Sequence, residues 1–422
     1  MPRKKSQPNA TEVSQVDTAQ VSSAGNPLPE TIHTGVNAQN TKTVLVSAVL
    51  EVTGQVRFGD GTDVGLTVTE TDMVLRPSDG AQLQKFIFAG SKRRGVDRRT
   101  IHELRDQHWN GDPCYIPNLC CNCPICWLYG FTGTTQNKNI NAKSRVLYAS
   151  SVSVEEVQIG RNTHSRNQVD EKTQMTAGAA GIHEEEIIVA GVHFPTYTAL
   201  VHVLDWEIGA FAHAFLENVN SNRYTAASRA QGGMKFAEHE GKPLVIVDES
   251  VQGIFPLPAP KIPGWENNWQ AARAVFQDAV NTDRLQFALQ EQGFTVTVQK
   301  DEPQDQSPNP NATEQEGQDD EGKDKQETLP SDQLVLQKQG GVIKVKCGND
   351  VIMTRYVGAR ALGYLRQRQL EAKSTLMDLK ADSFQTEIQT YLGAITKSGQ
   401  APQAMATGDE DTGESSDDGR AD

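Results

Sequence analysis

The hydrophobic pattern of this chain is mostly one of strands, with helices at a few places. TKTVLVSAVLEVTGQVRF, residues 41–58, is β-branched and apolar, and predicts a core strand that turns polar near its end. GLTVTETDMVLRP repeats the signal after a turn at Gly59–Asp63. A helix is expected after Ser91, which can cap it. Strands follow Lys143–Ser144–Arg145, and HEEEIIVAGVHFPTYTALVHVL is strand-like on both sides of Ala190–Gly191. Between them, Gly160 to Gly181 shows no clear period and reads as a long loop or the tip of a hairpin-like finger. His164 and His183 read there as loop polar residues. Residues 205–220 have helical spacing, with Trp206, Ile208, Phe211, Phe215 and Val219 on one stripe. One helix is expected over 265–290, strands on each side of residues 301–330, and a largely helical stretch over 351–398 that would cover the sheet.

Composition divides the chain into a folded body and polar segments. Residues 1–40 are rich in Asn, Thr, Ser, Gln and Pro, and read as a flexible arm. The net charge of −14 is misleading if taken whole. Residues 301–330 hold ten acids and two lysines, and the tail after 400 holds seven acids and one arginine. These two stretches account for the whole excess, so the rest is neutral and the acidity does not exclude a nucleic-acid partner. The expected order is an arm (1–40), a first core segment (41–100), a metal-binding insertion (101–130) and a second core segment with a finger at 160–192 (131–260). A helical and strand extension (261–300), an acidic insertion (301–330), a strand with C-terminal helices (331–398) and an acidic tail (399–422) complete it. No apolar run approaches a membrane span, and MPRKKSQPNATEVSQ lacks an apolar signal region, so a cytoplasmic location is expected.

Five of the six cysteines lie between Cys114 and Cys126. Cys120, Cys123 and Cys126 form a CxxCxxC run, and Pro117–Asn118 suit a turn that returns Cys114 to it. Thiolates at this spacing can converge on one tetrahedral ion, and zinc suits soft sulfur ligands. Cys114, Cys120, Cys123 and Cys126 are the expected ligands, with Cys121 or His108 as a replacement for one of them. Full ligation leaves no open position, so the site reads as structural. An iron–sulfur cluster, a disulfide or inert thiols are the competing readings.

Basic residues cluster beside small ones. Lys92, Arg93, Arg94, Arg98 and Arg99 surround Ala89, Gly90, Ser91 and Gly95. Small residues permit close approach of a ligand backbone, and arginine offers a fork to phosphate. Lys143, Arg145, Arg161, Arg166, Arg223 and Arg229 extend the set from separate segments. Gly232–Gly233 is not a phosphate-cradling Walker loop, because no GKS or GKT follows. Asp97 is the one acid near the basic cluster that could serve a nuclease.

The cysteine run joined to LYGF (Leu128–Phe131), with Ser144–Arg145, Arg223–Tyr224 and Ser228–Arg229, resembles the crRNA-binding backbone subunit of type I-D CRISPR surveillance complexes. The resemblance covers residues 43–260 and, more loosely, the C-terminal helices. It departs in the long arms, the 301–330 insertion, a finger without a clean match, and a glycine displaced to Gly232. It implies an α+β fold: an RRM-like, ferredoxin-related core with inserted zinc-binding and finger subdomains. It implies no catalysis, and a protein that repeats along a crRNA, holds its phosphates and leaves bases free to pair with target DNA. Implied partners are other copies of itself and the large, cap and guide-processing subunits. No RNP aromatic motif stands on the candidate strands, so a simple RNA-binding RRM is not expected. The competing classes are a metal-dependent ribonuclease subunit and a zinc-stabilised structural protein without nucleic acid.

Overall fold

A computed structural model describes residues 31–32, 41–58, 66–67, 69–76, 78–106, 110–111, 113–116, 118–120, 123–135, 138–166, 173, 181–225, 233–251, 253–260, 269–299 and 333–378. The elements in order are β1 (Thr31–Ile32), β2 (Lys42–Val52), β3 (Leu66–Thr67), β4 (Thr71–Leu75), β5 (Gln82–Phe88), α1 (Gly90–Asp106), α2 (Pro124–Tyr129), β6 (Phe131–Thr135), β7 (Lys138–Ala142), β8 (Val146–Tyr148), β9 (Ser151–Glu156), β10 (Ile159–Arg166), β11 (Gly181–Ile188) and β12 (His193–Val203). They continue as α3 (Asp205–Asn220), β13 (Met234–Phe236), β14 (Glu238–His239), β15 (Lys242–Pro243), β16 (Val245–Ser250), α4 (Trp269–Asp278), α5 (Thr282–Glu291), β17 (Thr295–Gln299), β18 (Gln333–Gln339), β19 (Val342–Cys347), β20 (Asp350–Val357) and α6 (Ala359–Asp378).

The central sheet has the strand order β17-β18-β19-β20-β16-β2-β12-β8, with β13 also paired to β2. Its axis is β2, antiparallel to both β12 (Ala48↔Thr196) and β16 (Ala48↔Val245). A strand covered on both faces reads as a continuous apolar run, which is why VLVSAVLEV shows little alternation. Val44, Val46, Leu50 and Val52 face the main core, whereas Val49 packs with Phe276 and Ala279 at α4 on the other face. The helix α3 is apolar nearly all round because the sheet lies on one side and α6 on another. At its closest approach a Cβ on Gly209 would lie 2.2 Å from the Arg368 carbonyl oxygen, so only glycine fits there. The chain is thus a mixed α+β core with a C-terminal helix and a buried four-cysteine cluster, consistent with an RRM-like core carrying a metal-binding insert.

Three expectations need correction. Residues 350–357 are strand β20, not helix. Val351, Ile352, Thr354 and Tyr356 favour the pleat, and Gly358 at φ 64° ends the strand before α6. The single helix over 265–290 is two, α4 and α5. Asn281 breaks it by accepting hydrogen bonds from the amides of Asp283 and Arg284, a cap that starts a new helix. The unpatterned stretch from Gly160 begins as strand, since β10 and β11 pair antiparallel from Ile159↔Ile188 to Arg166↔Gly181. His164 and His183 are directly opposed partners in that ladder, not loop residues. Their polar composition hid both strands, which the backbone register reveals. The acidic stretch 301–330 and the tail after 400 lie outside the described residues, as do residues 1–30 of the arm and the end of the 351–398 stretch beyond 378.

Candidate metal centre and nucleic-acid interface

Cys123 precedes α2 in extended conformation, Pro124 opens the helix, and one turn later Cys126 follows. Proline suits this first position because its missing N–H would be unpaired there anyway. Helical spacing puts the two sulfurs on one side, and the loop from Cys114 to Cys120 brings the others. The four Sγ atoms of Cys114, Cys120, Cys123 and Cys126 lie within 4.8 Å of one another, with Cys114 and Cys126 at 3.4 Å. Metal–sulfur bonds of about 2.3 Å in a tetrahedron would set sulfurs about 3.8 Å apart, so the cage fits one ion. Cys121 and His108 lie outside the described residues.

The electrostatics also fit a cation. Hydrogen bonds from the Cys120, Cys123 and Cys126 thiols hold Cys114 below the usual thiol range. Cys123 and Cys126, which share their hydrogens with Cys114, are pushed above it. Four sulfurs gathered in a buried cage therefore resist ionising together. A divalent ion would let all four ionise. Around the cage, His102 Nε2 donates to the Cys114 carbonyl, and its Nδ1 lies 2.7 Å from Asp106 Oδ2. Arg105 is held above its usual value despite burial, by Asp106 and by the Cys123 sulfur. The cluster is not a separate module. Cys114, Cys123 and Cys126 belong to the same core as Phe58, Phe88 and Phe211.

A second buried group sits under α1. Asp97 is fully buried and accepts hydrogen bonds from Tyr148 Oη (2.6 Å), Asn218 Nδ2 (2.7 Å) and Tyr224 Oη. Thr100 Oγ1 donates to Asn218 Oδ1 at 2.6 Å and carries the network to α3. Burial raises the Asp97 carboxyl above the usual carboxylate range, against the pull of its donors and Arg93. An acid closed off in this way has no access to a magnesium ion or a scissile phosphate, so it is a structural hub. Its sign is clear: a proton bound more tightly in the folded state adds stability at acid pH, and that contribution disappears as pH rises through the folded pKa. Asp97→Asn is therefore expected to lose less stability than the parent between pH 4 and 8, as read by urea titrations at each pH. Equal pH dependence of the two proteins would overturn the assignment.

The expected phosphate contacts separate into three groups. Arg93 and Arg145 are interior. Arg93 NH2 donates to Thr198 Oγ1 (2.8 Å) and NH1 to the Tyr197 carbonyl (3.3 Å), with the guanidinium over the Tyr148 ring. Arg145 NH1 donates to Glu207 Oε2 (2.7 Å) and to the His202 carbonyl (2.9 Å), NH2 pairs with Glu207 Oε1, and Nε reaches the Trp127 carbonyl (3.2 Å). Both side chains are buried and spend their donors inside the fold, an environment that the reading from sequence did not foresee. Arginine beside small residues gives the same sequence signal whether it faces phosphate or a cluster of carbonyls.

Lys92, Arg94, Lys143 and Arg223 form the second group, at or near the surface. Arg94 is exposed, and its NH2 donates to the Tyr129 carbonyl. The next residue, Gly130 at φ 75°, packs so close to Ala142–Ser144 that a Cβ would lie 2.5 Å from the Ala142 oxygen. Arg94 and the exposed Lys143 thus flank one corner, held by α2 and its cysteines. Lys92 Nζ lies 6.0 Å from the Phe58 ring centre. Arg223 stands further along α1, donating to Glu103 Oε2 (2.5 Å) and Thr100 Oγ1 (3.4 Å). The third group is not brought together here: Arg161 and Arg166 are placed only by backbone, opposite Glu186 and Gly181, and Arg229 lies outside the described residues. Sequence reasoning missed His102, Arg105, Glu207 and the Asp97 network. Asp97 and Asn218 are 121 residues apart, and nothing in either neighbourhood announces the other.

Among known proteins, the family described as Csc2 Crispr matches residues 78–237, a segment that holds the cysteine cage, α1 and the Gly130 corner. The match covers that segment and not the rest of the chain. No curated protein matches the chain. Solved structures with some similarity include a crystal structure of Thermofilum pendens Csc2 (14% identity, 60% of this chain and 78% of that chain, TM-score 0.35). They also include a Type IV-B CRISPR complex (13%, 52% and 95%, 0.34) and a CRISPR RNA-guided surveillance complex (13%, 58% and 84%, 0.34). At such scores these likenesses carry no argument of their own. No helix among the described residues is long and apolar enough to cross a membrane.

Proposed function

We propose that this chain is the guide-binding backbone subunit of a type I-D CRISPR surveillance complex, cytoplasmic and non-catalytic. Several copies would stack along a crRNA, hold its phosphates and leave its bases to pair with target DNA. The large, cap and guide-processing subunits would be its other partners, and zinc the ion at the four cysteines. The β10–β11 hairpin within 160–192 would be the finger, residues 101–130 the zinc-binding insertion, and 1–40 the arm.

The observation that carries this reading is the charge of α1. Lys92, Arg93 and Arg94 enter the start of the helix, and no acidic residue stands in its first turn. Cations there oppose the helix dipole, each costing about 0.3–1 kcal/mol near the surface. Arg93 and Arg94 offset part of that cost with hydrogen bonds inside the fold, and a polyanion along the helix face would offset it further. Lys92, Arg94, Lys143 and Arg223 are the proposed contacts, joined by Arg161, Arg166 and Arg229 from the finger and the following segment. Arg93 and Arg145 position the face from behind. The Arg94→Ala/Lys143→Ala double variant is expected to weaken single-stranded RNA binding by similar factors for unrelated sequences. Its salt slope should fall by about 0.7 for each phosphate it no longer neutralises. Titrations at several salt concentrations read both quantities. A folded double variant that binds with the parent's affinity and slope would overturn the proposed face.

A further inference from the structure

We propose that a cavity remote from the metal centre is the docking site of the chain's own acidic segment, residues 300–332. The cavity, about 470 Å³, lies between the β14–β15 hairpin, α4, the β18–β19 turn and the start of α6. Its walls are apolar where Leu244, Phe276 and Val280 meet. Its rim is cationic: Lys242 and Arg360 are exposed there, and Glu240 is the one acid among the described residues of the lining. His239 is on the same rim, 3.5 Å from an Arg273 nitrogen, and Lys338 Nζ reaches the Val280 carbonyl behind the wall at 2.7 Å.

Topology brings the acidic segment to this rim. β17 and β18 are parallel, with Gln299 opposite Gln337. Two residues beyond Gln337, β18 ends and the chain turns at Gly340–Gly341 on the cavity wall. The chain therefore leaves β17 at the cavity end of the sheet, about 10 Å from Gly340 at a strand's rise. It must then return to Gln333 at the other end. A crossover between parallel strands needs about a dozen residues. This connection runs from 300 to 332, so it has chain to spare. Asp301, Glu302 and Asp305 come within its first six residues, and residues 301–330 hold ten acids against two lysines. A strongly anionic strand of chain thus starts beside a cationic rim whose one described acid is Glu240. Docked there, the segment neutralises Lys242 and Arg360 and denies them to polyanions, which confines nucleic acid to the α1 face.

Hydrogen exchange on the full-length chain tests this. At low salt, amides of 239–244 and 340–341 are expected to exchange about fivefold faster in Asp301→Asn/Glu302→Gln/Asp305→Asn than in the parent, the size of one or two exposed ion pairs. Lys242→Glu/Arg360→Glu should do the same, and adding Asp301→Lys/Asp305→Lys to it should restore protection. About 1 M salt, where the screening length is about 3 Å, should remove the difference. Unchanged metal content keeps loss of fold apart from loss of docking. Equal exchange in all variants would overturn the proposal. So would protection that grows with protein concentration, which assigns the cavity to a second copy, or protection that needs added single-stranded RNA.

Discussion

Cys126→Ser is expected to lose the bound metal and to loosen residues 114–129 while the α3–α6 core stays folded. A serine hydroxyl remains neutral at pH 7 and offers a hard oxygen where three soft sulfurs remain, so the cage drops below the four ligands a structural site needs. Cys114, Cys123 and Cys126 are all buried within the main core, beside Trp127 and Leu128. Opening the cage therefore exposes apolar surface as well as thiols. Metal binding is worth on the order of 10 kcal/mol in isolated modules of this kind, which sets the upper bound here. Elemental analysis should fall from about one zinc per chain, the stoichiometry of a four-thiolate site, to near zero. A chelator should have the same effect on the parent's thermal unfolding, reversed by added zinc in the parent and not in the variant. Cys347→Ser, far from the cage, should keep its metal. A parent free of metal, or a coloured cluster, would refute the assignment.

Arg145→Ala is expected to destabilise the protein by about 3–5 kcal/mol, the usual result of stranding a buried charge. Glu207 is buried in α3, and Arg145 supplies both its ion pair and a tie to the Trp127 and His202 carbonyls. Glu207 also accepts from the Leu204 amide at 2.9 Å, so the same carboxylate caps the helix. Removing the guanidinium leaves the carboxylate with the Leu204 amide but no counter-charge, and takes a donor from each of the two carbonyls. Arg145→Met/Glu207→Met should recover some of this stability, because replacing both charges by apolar groups avoids the stranded one. On protein kept folded at low temperature, the RNA salt slope of Arg145→Ala should match the parent's. A variant as stable as the parent, with a slope lowered by about 0.7, would make Arg145 a phosphate contact after all.

These two residues show where sequence legibility stopped. Four cysteines within thirteen positions constrain their own geometry, because a short loop and one helical turn leave few ways to arrange four sulfurs. The strand β2 and the helix α3 were legible for a similar reason: their burial is written in local apolar periodicity. The α+β class follows from such elements taken together. An arginine carries no such local mark. Arg94 and Arg93 are neighbours in sequence, yet α1 turns one toward solvent and the other onto Tyr148 and Thr198. Arg145 looked like a phosphate ligand because it stands beside a strand, and only α3, bringing Glu207 from 62 residues away, decided otherwise. The same holds for Asp97, whose partners at Tyr148, Asn218 and Tyr224 converge only when α1 is laid against α3. By itself the sequence determined the four-cysteine cage, the central strand, the apolar helix and the segregation of acidic charge into two stretches. Which cations face solvent and which are consumed inside was decided by tertiary structure alone, because burial of a charge depends on partners that no local pattern encodes.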